Sequence, residues 1–134
     1  MEPEIAVAIT SDADILTARQ LGRQVAARTG FGEGDQTVIA AAISEVARNI
    51  VRYATRGEIL LRPINHGSRR GLLVVARDQG PGIPDLTLAM QDGYSTGNGF
   101  GVGLPGTRRL MDEFEIASEP GRGTTVTMRK WARS

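Results

Sequence analysis

Apolar residues alternate with small or charged ones in "EIAVAIT" (residues 4–10), the two-residue period of a half-buried strand. The period then lengthens. "SDADILTARQLGRQVAARTG" (11–30) reads as a helix that Ser11 or Asp12 can cap and Gly30 can end. "FGEGDQTVIAAAISEVARNIVRYATRG" follows as a longer helix, with Asp35 as an early-turn acid, running to about Ala54 and closed by Gly57. On a wheel of 100° per residue its Val38, Ile39, Ala42, Ile43, Val46, Ile50 and Ala54 fill one broad arc. "EILLRPI" (58–64) and "GLLVVARD" (71–78) then read as paired strands joined by the hairpin loop "NHGSRR". From Gln79 to Gly103 the pattern lapses into Gly, Pro, Asp, Ser and Thr, broken only by "DLTLAMQ". A helix from about Leu104 to Asp112, a strand "FEIAS" (114–118), the turn "EPGRG" and a strand "TTVTMRKW" (124–131) complete the chain.

The order β-α-α-β-β-loop-α-β-β has no internal repeat and no linker. It predicts one domain over residues 1–134, an α+β two-layer sandwich with helices segregated on one face of a largely antiparallel sheet. A connection of about 25 residues with so little regular structure is unusual inside a compact domain, and where ordered it is a lid or binding loop.

Composition removes several chemistries. With 134 residues, a net charge of +1 and interspersed signs, the chain shows no electrostatic footprint for nucleic acid or anionic lipid. No apolar run reaches the ~18 residues of a membrane span, and no signal-peptide pattern opens the sequence. Cysteine is absent, so there is no disulfide framework and no thiolate metal site. The expectation is a soluble cytoplasmic protein with neither nucleic acid nor membrane as partner. There is a single histidine, His66, and a single lysine, Lys130. A Walker-type phosphate loop needs a lysine after its glycines, and the eukaryotic protein-kinase plan needs one on an early strand; Lys130 stands four residues from the end. His66 falls in the predicted hairpin loop, where a solvated side chain is expected.

Four segments carry candidate chemistry, each with an ordinary reading beside the functional one. Asn49 falls at the margin of the apolar arc of the second helix, and Glu45 lies one turn before it. They are either a boundary acid and an amide bonded to a nearby carbonyl, or a ligand for a hard cation such as Mg²⁺ beside a general base. In "ARDQGPGIPD" an apolar strand runs into Asp78 and stops at Gly80, Pro81, Gly82 and Pro84. That is either a common turn or a carboxylate placed to accept from an exocyclic amine, with Gly80 and Gly82 letting backbone lie against a ring. "GVGLPG" (101–106) fits the dinucleotide fingerprint formally, but no strand precedes it directly and no βαβ unit contains it. What remains is either a disordered glycine loop or a set of bare amides ahead of a helix, suited to a phosphate chain. Thr124, after the turn of "PGRGTTVTM", is either the start of an ordinary strand or a hydroxyl shared with the group that Asp78 reads.

Taken together and in order, "EVARNIVRYA", "DQGPGIPD", "GFGVGLPG" and "GRGT" resemble the boxes of the Bergerat-fold ATPase superfamily of gyrase, the heat-shock chaperone, histidine kinases and MutL. No phosphoacceptor-histidine helix, sensor or transducer segment accompanies them. The chain is most similar to the compact anti-sigma-type serine/threonine kinases of bacterial partner switching, and among these to the stressosome switch kinases (RsbT type). "ARQLGRQVA", "FGEGDQ", "AISEVARNI", "GFGVGLPGTRRLMDEF" and "GRGTTVTMRKW" carry that likeness over nearly the whole length. Pro105 departs from the glycine common after the lid leucine in histidine kinases.

The resemblance implies a sheet, mixed but largely antiparallel, and Mg·ATP-dependent phosphorylation of a serine or threonine on a STAS-domain antagonist protein. It further implies binding and activation of a downstream output protein, such as a phosphatase, on release. It assigns adenine to Asp78 with Thr124, Gly80 and Gly82, and Mg²⁺ to Asn49. The phosphates go to Gly99, Gly101 and Gly103 with the amides of Val102 and Leu104, in a lid over about 79–103, and the base is Glu45. With no lysine available, Arg48, Arg52, Arg108 and Arg109 are the cations on offer. A second reading of the same motifs is a nucleotide-dependent anti-sigma or docking module with little turnover.

Overall fold

The computed structural model describes residues 4–54, 56–80, 103–119 and 121–133. The elements come in the predicted order: β1 (Ile5–Ile9), α1 (Asp12–Thr29), α2 (Glu33–Tyr53), β2 (Gly57–His66), β3 (Arg69–Asp78), α3 (Gly103–Leu110), β4 (Glu113–Glu119) and β5 (Gly123–Trp131). The five strands form one sheet in the order β1-β2-β3-β5-β4. Every described pairing is antiparallel, so the parallel component of a mixed sheet is not found among the described residues.

Local chemistry sets the joints. The β2–β3 ladder pairs His66 with Arg69, leaving only Gly67 and Ser68 as the loop, shorter than the expected "NHGSRR". Gly67 has φ +63°, which a two-residue hairpin turn demands at its first central position. His66 is exposed at the strand end, as a loop histidine would be. At the start of α1, Ser11 occupies the cap position with extended backbone but makes no side-chain cap. Asp14 closes the helix start instead: its Oδ2 accepts from the backbone N–H and the hydroxyl of Thr10, both at 2.8 Å. These bonds, the backbone one foremost, hold the Asp14 carboxyl below its ordinary value. At the other end Gly30, at φ +108°, donates to the carbonyls of Ala26 and Ala27, and Phe31 donates to Ala26. That is a Schellman termination, with Phe31 buried as its apolar clasp.

The core lies between the helices and one face of the sheet. Period-2 alternation sends Ile59, Leu61, Leu72, Val74, Val126 and Met128 inward, where they meet Ile39, Ile43, Val46 and Ile50 of α2. Each of these fully buried aliphatic side chains stabilises the fold by about 1.5–3 kcal/mol. Helix α2 packs against both α1 and α3 as well as the sheet. Its buried surface is therefore wider than the predicted arc and takes in Ala40, Ser44 and Ala47. The α1–α2 contact is close because Gly22 has no side chain; a Cβ there would overlap Ile43 Cδ1.

Candidate functional site

The site is built around the exit of β3. Asp78 is the last residue of that strand and is half-buried. Its Oδ1 accepts from the backbone N–H of Gly80 at 2.9 Å and from that of Thr124 at 3.2 Å. Its Oδ2 accepts from no described residue. The carboxylate is thus held by one edge and presents the other.

Three glycines make that corner possible. Gly57 faces Asp78 in register, and a Cβ on it would overlap the Arg77 carbonyl and stand 3.1 Å from Asp78 Cβ. A Cβ on Gly80 would stand 2.6 Å from Ala54 Cβ and 3.2 Å from the Tyr53 carbonyl oxygen. Gly123, at φ +114°, would drive one into the Asp78 carbonyl. The chain leaving β3 is pressed between the end of α2 and the start of β5, where only hydrogen fits. Thr124 is buried, and its Oγ1 lies 2.9 Å from Ser118 Oγ. Its amide, more than its hydroxyl, is what serves Asp78 directly.

Helix α2 brings the second half of the site. Glu45 and Asn49 lie one turn apart, as the wheel predicts. The Glu45 side chain is only 12% exposed, and its Oε1 lies 2.6 Å from Arg48 Nη1. Of the four arginines on offer, Arg48 is therefore engaged with the acid, while Arg52, Arg108 and Arg109 are exposed. Asn49 is half-buried, and its carboxamide makes no hydrogen bond with any described residue. The ordinary reading, an amide satisfied by a neighbouring carbonyl, is thus not what the described residues show. Ile50, beside it in sequence, bounds the same space: a Cβ added to Gly57 would stand 3.0 Å from Ile50 Cγ2 as well as 3.1 Å from Asp78 Cβ. Tyr53, one turn beyond Asn49, turns its carbonyl to Gly80. The turn carrying Asn49 and the exit carrying Asp78 therefore belong to one corner of the fold.

Helix α3 opens with Gly103 and Leu104, one residue before the predicted start, and ends at Leu110 instead of Asp112. The amides of its first turn have no intrahelical acceptor, as at any helix N-terminus. Leu104 buries its side chain in the fold, so its backbone N–H is the part that can meet a ligand. Pro105 is the third residue of α3, inside the first turn, where a missing N–H breaks no intrahelical bond. Gly82, Gly99, Gly101 and Val102, with most of the expected lid over 79–103, lie outside the described residues.

Among the described residues, no cluster of three or more His, Cys, Asp or Glu is arranged to hold a metal. A Mg²⁺ that keeps its waters and takes phosphate oxygens needs only one or two protein ligands, and the unengaged Asn49 carboxamide fits that requirement. Sequence reasoning did not find the support of Gly57, Ser118 and Gly123. Their spacing from Asp78 in the chain hides contacts that strand register creates, so no local signal pointed to them.

The sequence and the fold have counterparts among known proteins. Residues 10–130 match the histidine kinase-like ATPase domain. The chain is 50% identical over 133 residues to the serine/threonine-protein kinase RsbT of Bacillus subtilis (strain 168), covering 99% of this chain and 100% of that one. It is 32% identical over 102 residues to the anti-sigma F factor of Thermoanaerobacter sp. (strain X514), covering 72% of this chain and 70% of the relative. Among solved structures, the crystal structure of the RsbU and RsbW domains of a Mycobacterium tuberculosis protein superposes with a TM-score of 0.67 at 20% identity, over 99% of this chain and 34% of that one.

Proposed function

We propose, for a chain that belongs to the histidine kinase-like ATPase family and is a serine/threonine-protein kinase, that it transfers the γ-phosphoryl group of Mg·ATP to a hydroxyl of a STAS-domain antagonist protein in a bacterial partner-switching pathway. On release from that partner it binds and activates a downstream output protein such as a phosphatase, and it works in the cytoplasm. No described helix is long and apolar enough to cross a membrane.

The observation that carries this reading is the pairing of two polar groups at one corner: an Asp78 carboxylate with one oxygen fixed and the other, like the Asn49 carboxamide, without a partner among the described residues. Asp78 Oδ2 accepts from the exocyclic amine of adenine, with Gly80 and Gly82 giving backbone room beside the ring. Asn49 would hold Mg²⁺ through its carboxamide oxygen, and the ion would supply charge neutralisation at the phosphates. The amides of Gly103 and Leu104, with Gly99, Gly101 and Val102 of the lid, receive phosphate oxygens. Glu45 takes the proton of the incoming hydroxyl as its oxygen bonds to the γ-phosphorus and the bond to the ADP oxygen breaks. Arg48, at 2.6 Å, holds that carboxylate in place. Phosphoryl transfer depends chiefly on alignment and charge neutralisation, so the base contributes less than the metal and the lid.

The test is incubation with radiolabelled ATP, Mg²⁺ and candidate STAS-domain proteins. Label transfer that slows in Glu45→Ala while ATP binding persists supports the mechanism. Nucleotide-dependent complex formation without transfer to any partner would replace it with the docking reading, which the likeness to an anti-sigma F factor favours.

A further inference from the structure

The fold has a second polar concavity, at the opposite end of the sheet. Strand β3 runs ten residues from Arg69 to Asp78, which separates its two ends by roughly 30 Å. At the Arg69 end lies a groove of about 430 Å³ lined by Asp35, Arg69, Asp112, Lys130, Trp131 and Arg133. Helix α2 spans the same distance, with Asp35 in its first turn and Tyr53 beside the nucleotide corner.

The charges of the groove are unevenly used. Lys130 donates to the Leu110 carbonyl at 3.0 Å and stands 3.9 Å from Asp112. Asp112 also accepts the Trp131 backbone N–H, and Glu113 accepts the Trp131 indole N–H. These acids are spent on fixing the tryptophan. Arg69 lies over the Trp131 ring, 4.9 Å from its centroid, and has no carboxylate partner among the described residues. Arg133 has none either among the described residues. Against them stands one lining acid without a described partner, Asp35. A chain whose net charge is only +1 therefore gathers uncompensated arginines around a partly exposed tryptophan. His66 closes the cluster edge-on to the indole, at 6.1 Å. Tryptophan and arginine are the residue types that dominate binding energy at protein interfaces.

We propose that this groove is a docking site for an acidic protein segment, its carboxylates received by Arg69 and Arg133 and its apolar stem lying on Trp131. Guanidinium groups take carboxylates in bidentate geometry, and Arg69 already rests over the indole, so little freedom is lost on binding. The site stands apart from the nucleotide corner and does not rest on the assignment of Asp78 or Asn49.

Trp131 is the single tryptophan of the chain, so fluorescence excited selectively at tryptophan, beyond the absorption of Tyr53 and Tyr94, reports on this groove. Full-length protein is titrated with a synthetic glutamate-rich peptide and with its glutamine counterpart. The expected result is a saturable change with the glutamate peptide, half-complete below roughly 1 mM. It weakens with salt and is absent for the glutamine peptide. Arg69→Ala and Arg133→Ala each weaken it by about tenfold. Arg133 lies beyond the last strand, so its variant keeps the fold, and Asp78→Asn leaves the titration unchanged. No response, an equal response to the glutamine peptide, or unaltered binding by the Arg69→Ala/Arg133→Ala double variant overturns the proposal. A stronger response to a single-stranded oligonucleotide of equal charge overturns it as well.

Discussion

Asp78→Asn separates recognition from folding because the backbone decides how the new amide sits. Two N–H groups, from Gly80 and Thr124, point at one side-chain oxygen. An asparagine must therefore leave its carbonyl oxygen in the Oδ1 position, since its NH₂ there would face two donors. On the proposed reading of Asp78, the NH₂ then stands where Oδ2 stood and would confront the exocyclic amine of adenine, donor against donor. On the folding side, two charge-assisted bonds become neutral ones, a loss of about 1–2 kcal/mol and a fall in Tm of roughly 4–8 °C. On the binding side a charged acceptor is lost and a buried donor is left unpaired, about 3–5 kcal/mol together, or roughly 10²–10⁴-fold in Kd for ATP. Guanine offers an oxygen in place of that amine, so GTP should gain where ATP loses. Calorimetric titration of the variant with both nucleotides, beside a thermal melt, reads both sides. A well-folded variant whose ATP affinity drops less than tenfold, or one that loses ATP and GTP alike, would refute the reasoning.

Other outcomes follow from the same coordinates. Gly123→Ala adds a Cβ at φ +114° against the Asp78 carbonyl, and should lower stability by about 2–4 kcal/mol in chemical denaturation while weakening nucleotide binding in parallel. Ile50→Ala empties a fully buried position beside the β3 exit, and should lower stability by about 2–5 kcal/mol. Asp14 has its folded-state carboxyl held below its unfolded value of 3.8, so its contribution is present above that pH and is lost as pH falls through the lower folded value. Asp14→Asn should therefore be less stable than the parent at neutral pH, with the gap closing in acid-denaturation curves below about pH 3.8. Asn49→Ala should abolish phosphoryl transfer more completely than Glu45→Ala, measured at saturating ATP and Mg²⁺.

Much of the fold was legible because periodicity and breakers agreed. Gly30, Gly57 and the alternation of β3 marked their elements to within a few residues. The sequence expects too long a hairpin loop because Asn65 and Arg70 are polar, yet both stand at the exposed tip of the hairpin, where strand positions tolerate polar residues, and the register pairs them. Ser11 and Asp12 are the cap candidates in the sequence because serine and aspartate favour that place, whereas the Asp14 carboxylate, three residues after Ser11, forms the charged bonds. In the site, the i, i+4 relation of Glu45 and Asn49 follows from helix geometry alone, so the wheel found it. The Glu45–Arg48 ion pair, the Thr124 amide on Asp78 and the service of Gly57 and Gly123 depend on side-chain rotamers and on strands that are distant in sequence. Nothing in a local window encodes them.

The two groups that fix the Asp78 carboxylate are peptide N–H groups, supplied by the main chain at Gly80 and at Thr124. Replacing neighbouring side chains leaves both where they are, provided the three positions that admit only hydrogen are kept. If Asp78 reads adenine as proposed, purine choice is written into the path of the backbone, and the side chains around the corner can change without altering it.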